Sequence, residues 1–148
     1  MPPDSSRVTP EVEIRRLNDK LPIISSDMFA DSEEAENING PCLIRVPSWL
    51  KDDEKAHPSA KYYLYFAHHL GKFIRMAWAA EIEGPWHLNN MKSPYNRGVL
   101  YKGSHEEIRS FNNISIVSRW AHVAAPHVLV DDNKQRLVLF FHSSTKNY

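Results

Sequence analysis

The chain has one cysteine, Cys42, among its 148 residues. That excludes an intramolecular disulfide and any zinc site built on clustered thiolates, so stability has to come from packing. Net charge is also missing, because 18 Lys and Arg stand against 18 Asp and Glu. A surface that tracks nucleic-acid phosphates needs a basic excess, so no nucleic-acid partner is expected. No apolar run approaches the roughly 20 residues that cross a bilayer, so no membrane partner is expected either. Met1 to Pro10 is polar and proline-rich, without the basic-then-apolar pattern of a secretory leader, which places the chain in the cytoplasm as an expectation. Glycine is scarce, at 5 residues, while 6 Tyr, 6 Phe and 4 Trp fall into short clusters. A chain of this size and composition reads as one β-rich domain with a real core.

Residues 1–36 hold nine acidic against four basic side chains, and the remainder carries the balancing positive excess. This stretch reads as an extended acidic arm lying on the domain. Within it Leu21-Pro22-Ile23-Ile24 is short, apolar and β-branched, and is expected to dock as an edge segment where proline is tolerated.

Strand signals follow. Cys42 to Val46 is bounded by Gly40-Pro41 and Pro47. Lys61 to Ala67 is apolar on both alternating faces, Tyr62, Leu64 and Phe66 on one and Tyr63, Tyr65 and Ala67 on the other. Such a strand must be sandwiched between layers. Gly71-Lys72 predicts a turn into Phe73 to Ala79, Glu81 to Gly84 another turn, and Pro85 to Leu88 a short fourth strand, completing a four-strand meander. From Asn89 to Arg119 the pattern dissolves, with at most one short element around Ile114 to Val117. Order returns as a hairpin, His127 to Val130 and Arg136 to His142 about a turn at Asp131 to Lys134.

The two ordered regions repeat one another. Gly40-Pro41-Cys42-Leu43-Ile44-Arg45-Val46 parallels Ala125-Pro126-His127-Val128-Leu129-Val130, and Lys61 to Phe66 parallels Arg136 to Phe141, with 85 residues between Pro41 and Pro126. A repeated four-strand meander is the unit of a β-propeller. The predicted fold is therefore all-β, a partial propeller of about one and a half four-stranded antiparallel blades behind an extended N-terminal arm. The boundaries are an arm at 1–36, a first blade at 37–90, an excursion loop at 91–121 and an incomplete second blade at 122–148.

Asn37 to Trp49, then Lys61 to Gly71 (KYYLYFAHHLG), then Phe73 to Trp86 ending in Glu83-Gly84-Pro85-Trp86, resemble the first blade of five-bladed propeller proteins similar to glycoside hydrolase family 43. The resemblance resumes at Gly98-Val99-Leu100 and again from His122 to His142. It implies a carbohydrate partner and glycosidic-bond chemistry, which normally needs two carboxyl groups flanking the bond. In the family the inner strands carry an Asp just before a Pro; the corresponding positions here are Gly40 and Ala125, which cannot move a proton. The general acid of the family comes from a later blade. No catalytic residue is therefore assigned, and hydrolysis would require completion by other chains. The resemblance also allows a cation in the propeller axis, without carrying a ligand onto any residue here.

The repeat would place Asn37, Asn39, His68, His69, His122 and His127 near the channel, beside Trp49, Trp78 or Trp86. Asn and His bind sugar hydroxyls while an aromatic ring covers an apolar sugar face, which makes these residues, with Trp86, the candidate substrate contacts. The alternative is that the Asn pair forms turns before Gly40-Pro41, the His pair caps a strand and Trp78 and Trp86 are core. Four histidines could converge on a metal, but their spacing specifies none. Arg75, a charge among apolar neighbours, should be paired, with Glu81 or Glu83 as the expected partner. A module from a different class fits the same strands: a homo-oligomer in which exposed strand edges pair between chains.

Overall fold

A computed structural model of the chain describes residues 12–14, 16, 21–29, 35, 38–68, 73–89, 99–101 and 120–145. Its first sheet is the expected meander. Strands β1 (Ile38–Arg45), β2 (Tyr62–His68), β3 (Phe73–Ala79) and β4 (His87–Leu88) pair in chain order, all antiparallel. A fifth strand, β5 (Leu100–Tyr101), pairs with Phe73 and Ile74 of β3, while β4 pairs with Ala77 and Trp78. The outer edge of β3 is thus covered in two separate stretches. β5 lies where the sequence predicted a loop, and two residues carry no periodicity that could announce it. The expected element at Ile114–Val117 and the Gly71-Lys72 turn lie outside the described residues.

The second sheet is a hairpin of β6 (Trp120–Asp131) and β7 (Arg136–Thr145), joined by a 3-10 turn at Asp132–Lys134. Asp131 organises the turn: its carboxylate accepts the Lys134 N–H at 3.2 Å and the Arg136 Nε–H at 3.0 Å. This hairpin begins earlier than the sequence suggested, because Ala125-Pro126 interrupts β6 without ending it.

Both X-Pro pairs are bulges rather than strand starts. Pairing of β1 with β2 shifts between Asn39 and Cys42, and pairing of β6 with β7 shifts between Ala124 and His127. Gly40 has φ +60 and Ala125 φ +48, the left-handed conformation of a bulge residue, and the proline that follows has no N–H to give to a ladder.

The doubly apolar β2 is sandwiched as its pattern demands. On one face Tyr63 and Tyr65, with Ile44 and Met76, pack against Val128, Val130, Leu137 and Leu139 of the hairpin. On the other Leu64 and Phe66, with Ala77 and Ala79, are covered by Ile23, Ile24, Met28 and Phe29 of the arm and by Trp86. The arm segment therefore docks on the sheet face through side chains, not as the expected edge strand; residues 21–24 are in no strand. A third cluster, Ile74, Leu100 and Val123, fixes the start of β6 over β3 and β5. Among the described residues no helix is long and apolar enough to cross a membrane.

Candidate functional site

Strand β6 crosses the face of the first sheet and ends up alongside β1, pointing the same way. Gly40 lies against Ala125, Cys42 against Val128, and Trp49, just past β1, against Asp132, just past β6. The two bulges consequently sit together at the start of the shared direction. A Cβ placed on Gly40 would stand 3.2 Å from Ala125 Cα and 3.6 Å from Pro126 Cδ. This strand-start end thus sets Gly40 of one sheet against Ala125 and Pro126 of the other, with Asn39 and His127 as their neighbours along the chain.

Of the residues expected to line it, Asn37 and His69 lie outside the described residues. Asn39 is half-buried, opposite Ala67 on β2. His127 is exposed, opposite Phe140 on the outward face of the hairpin. His122 is half-buried, its ring edge-on to His142 at 5.8 Å, a histidine the sequence analysis did not single out. Val123 faces inward and is fully buried, so strand alternation puts His122 on the outward face.

Two candidates are corrected by burial. His68 is only 2% exposed and edge-on to Phe73 at 6.1 Å; alternation puts it with Leu64 and Phe66, on the arm side of the sheet and away from His127. Trp86 is 7% exposed in the same arm-side core, with its indole N–H donating to the Ile82 carbonyl at 3.2 Å, so its ring is not a platform for a ligand. Among the described residues no group of three or more His, Cys, Asp or Glu is placed to hold a metal ion.

Trp78 and Trp49 are placed by contacts the sequence could not announce. Trp78 is stacked between His57 at 4.3 Å and His87 at 4.5 Å. Trp49 donates its indole N–H to Asp132 Oδ1 at 2.8 Å, across 83 residues of chain. Arg75 is buried under its own aromatic cover, 4.6 Å above the Phe29 ring and 5.4 Å from that of Phe73. Of its two expected partners, Glu81 and Glu83, Glu81 binds Lys61 at 2.6 Å, and this ion pair raises the Lys61 ammonium above its usual range.

No protein-family model matches the chain, and no solved structure does. Among curated proteins, "Uncharacterized protein R118" of Acanthamoeba polyphaga mimivirus is 27% identical over 115 residues, a match covering 75% of this chain and 30% of that protein. The chain therefore spans less than a third of the length of the curated relative it matches.

Proposed function

We propose that this chain forms one blade and the inner hairpin of a second in a propeller of the glycoside hydrolase family 43 type, and that the strand-start end binds carbohydrate without supplying carboxylates. The observation that carries the reading is the meeting of two left-handed X-Pro bulges, Gly40-Pro41 near the beginning of β1 and Ala125-Pro126 within β6, where the two strands come together and run on in the same direction. Inner strands of neighbouring propeller blades have this relation, and the sequence repeat falls on the same residues. The mimivirus match is compatible with a longer frame, because the matched segment takes up only 30% of that protein.

At this end Asn39 and His127 remain as the polar contacts for sugar hydroxyls. Gly40 and Ala125 have no proton to move, and a side chain at Gly40 would crowd the Ala125 backbone, its Cβ standing 3.2 Å from Ala125 Cα. Any hydrolysis would draw both carboxyl groups from elsewhere.

The test is a titration of the purified chain with neutral mono- and disaccharides, followed by the backbone amide resonances of Asn39 and His127. Saturable shifts that disappear in Asn39→Ala are expected, with no release of reducing sugar. Absence of any shift at these amides would sink the binding reading, and release of reducing sugar by the chain alone would sink its non-catalytic form.

A second reading, assembly through the hairpin, is favoured by one observation: Leu129 and Phe140 are 51% and 55% exposed on the outward face of β6 and β7. Apolar surface of that kind is where a further sheet would pack. Light scattering decides it, a fixed multiple of 17.1 kDa supporting assembly and a monodisperse monomer excluding it.

A further inference from the structure

At the end of the molecule opposite the Gly40–Ala125 meeting, the chain just past β1 and the hairpin turn past β6 enclose an open cleft of about 400 Å³. Trp49, Glu54, Gln135 and Arg136 line it, with Leu50 and Leu137 at its apolar side. None of the four polar or aromatic groups belongs to the strand-start end.

Three of the four, Trp49, Arg136 and Glu54, are oriented by hydrogen bonds that leave other atoms of the same groups to bond a ligand. The indole of Trp49 is held across the gap by Asp132 Oδ1 at 2.8 Å, so the ring presents a face in a set position. The guanidinium of Arg136 is held by its Nε–H on Asp131 Oδ2 at 3.0 Å, which leaves both terminal nitrogens to donate. Glu54 accepts the Lys51 N–H through Oε2 at 3.2 Å and keeps Oε1 as an acceptor. Gln135 sits at φ +48, the left-handed residue that closes the turn, and offers an amide that both donates and accepts.

The chemistry selects among ligand classes. An anion would meet the Glu54 carboxylate among the lining residues. A cation would meet Lys51 and Arg136, and no metal-holding cluster exists among the described residues. A wholly apolar ligand would strip water from a guanidinium and a carboxylate without replacing their hydrogen bonds. A ring with an apolar face and paired hydroxyls satisfies all of them: the face stacks on indole, and vicinal hydroxyls take paired hydrogen bonds from guanidinium and give them to carboxylate. The volume lies toward the small end of the roughly 300–1,000 Å³ of ligand sites, which suits a short saccharide rather than a long chain.

We propose that this cleft is a binding site for a neutral pyranoside, stacked on Trp49 and hydrogen-bonded by Glu54, Gln135 and Arg136. It does not rest on the strand-start reading, and the two are separated by where resonances move.

The test uses the whole chain labelled with nitrogen-15, titrated with methyl glycosides of glucose, galactose, mannose and xylose, and with glucuronate as the charged control. The expected result is a saturable shift of the Trp49 indole N–H and the Gln135 side-chain amide with at least one neutral glycoside. Binding should weaken roughly tenfold or more in both Trp49→Phe and Glu54→Gln. Glu54 is exposed and makes one local bond, so its variant should keep the fold even if the Trp49 variant does not. Three results would overturn the proposal: no shift with any neutral glycoside, a shift with glucuronate alone, or shifts confined to Asn39 and His127. The last would leave the strand-start reading standing.

Discussion

The sulfur of Cys42 accepts the backbone N–H of Val128 at 3.2 Å, and its S–H reaches the carbonyl of the same residue at 3.9 Å. One side chain thus satisfies a backbone donor of a strand 86 residues away, where no ladder joins the two sheets. Removing it strands a part-buried N–H. We expect Cys42→Ala to cost about 1–2 kcal/mol in urea unfolding and Cys42→Ser, which can still accept, to cost less. Equal losses would mean that the thiol acts by volume alone.

The meeting of the two bulges predicts opposite signs for two small substitutions. Gly40→Ala introduces a Cβ at φ +60 and 3.2 Å from a backbone atom, and should cost about 1–2 kcal/mol or more. Ala125→Gly removes a Cβ from φ +48 and should stabilise by about 0.5–1 kcal/mol. Thermal melts of the two variants read both signs directly.

The arm is part of the core by its contacts. Phe29 stands edge-on to Phe66 at 6.4 Å and lies under the Arg75 guanidinium. Phe29→Ala should cost about 2–3 kcal/mol, below the full-core range because Phe29 is half-buried. Ile14→Ala, at a position 88% exposed, should stay within about 0.5 kcal/mol of the parent. Chemical denaturation of the pair separates a docked arm from a loose one.

Alkaline stability should depend on Tyr65. Burial, aided by Tyr63 and Cys42 nearby, pushes its phenol well above the ordinary range, and burial raises Tyr63 as well. The unfolded chain releases these protons near about pH 10 while the folded chain retains them. Their contribution is therefore complete below about pH 10 and is lost as pH rises through the folded values. Urea midpoints should fall across that window, and Tyr65→Phe should flatten the fall. An unchanged slope would place the effect on other groups.

The meander and the sandwiching of β2 were legible because they are local. Tyr62 to Ala67 is apolar at every position, and Gly and Pro punctuate its neighbours. Gly40-Pro41 and Ala125-Pro126 were legible as a repeat but not as bulges, since a strand start and a strand interruption use the same residues. That ambiguity decides the site: each bulge resets which side chains face inward, so alternation counted from the proline misplaces what precedes it. His68 could have been assigned to the Leu64–Phe66 face by counting along β2, whereas the bond from Trp49 to Asp132 joins distant segments and leaves no local trace. Trp86 follows a turn like a ligand platform would, and only its packing against Leu64 and Phe66 identifies it as core.

The divided outer strand bears on how the molecule resists templated misassembly. A continuous exposed edge offers an incoming strand a run of unpaired N–H and C=O groups. Here β3 gives Met76 O to Asn89 N–H at 2.9 Å and Ile74 O to Val99 N–H at 2.8 Å, and the strand beyond it consists of two dipeptides. Among the described residues neither is long enough to template a neighbour, so the meander ends in a broken selvage rather than a seam. The same division gives β3 two separate outer partners, β4 at Ala77 and Trp78 and β5 at Phe73 and Ile74, each held by its own pairing.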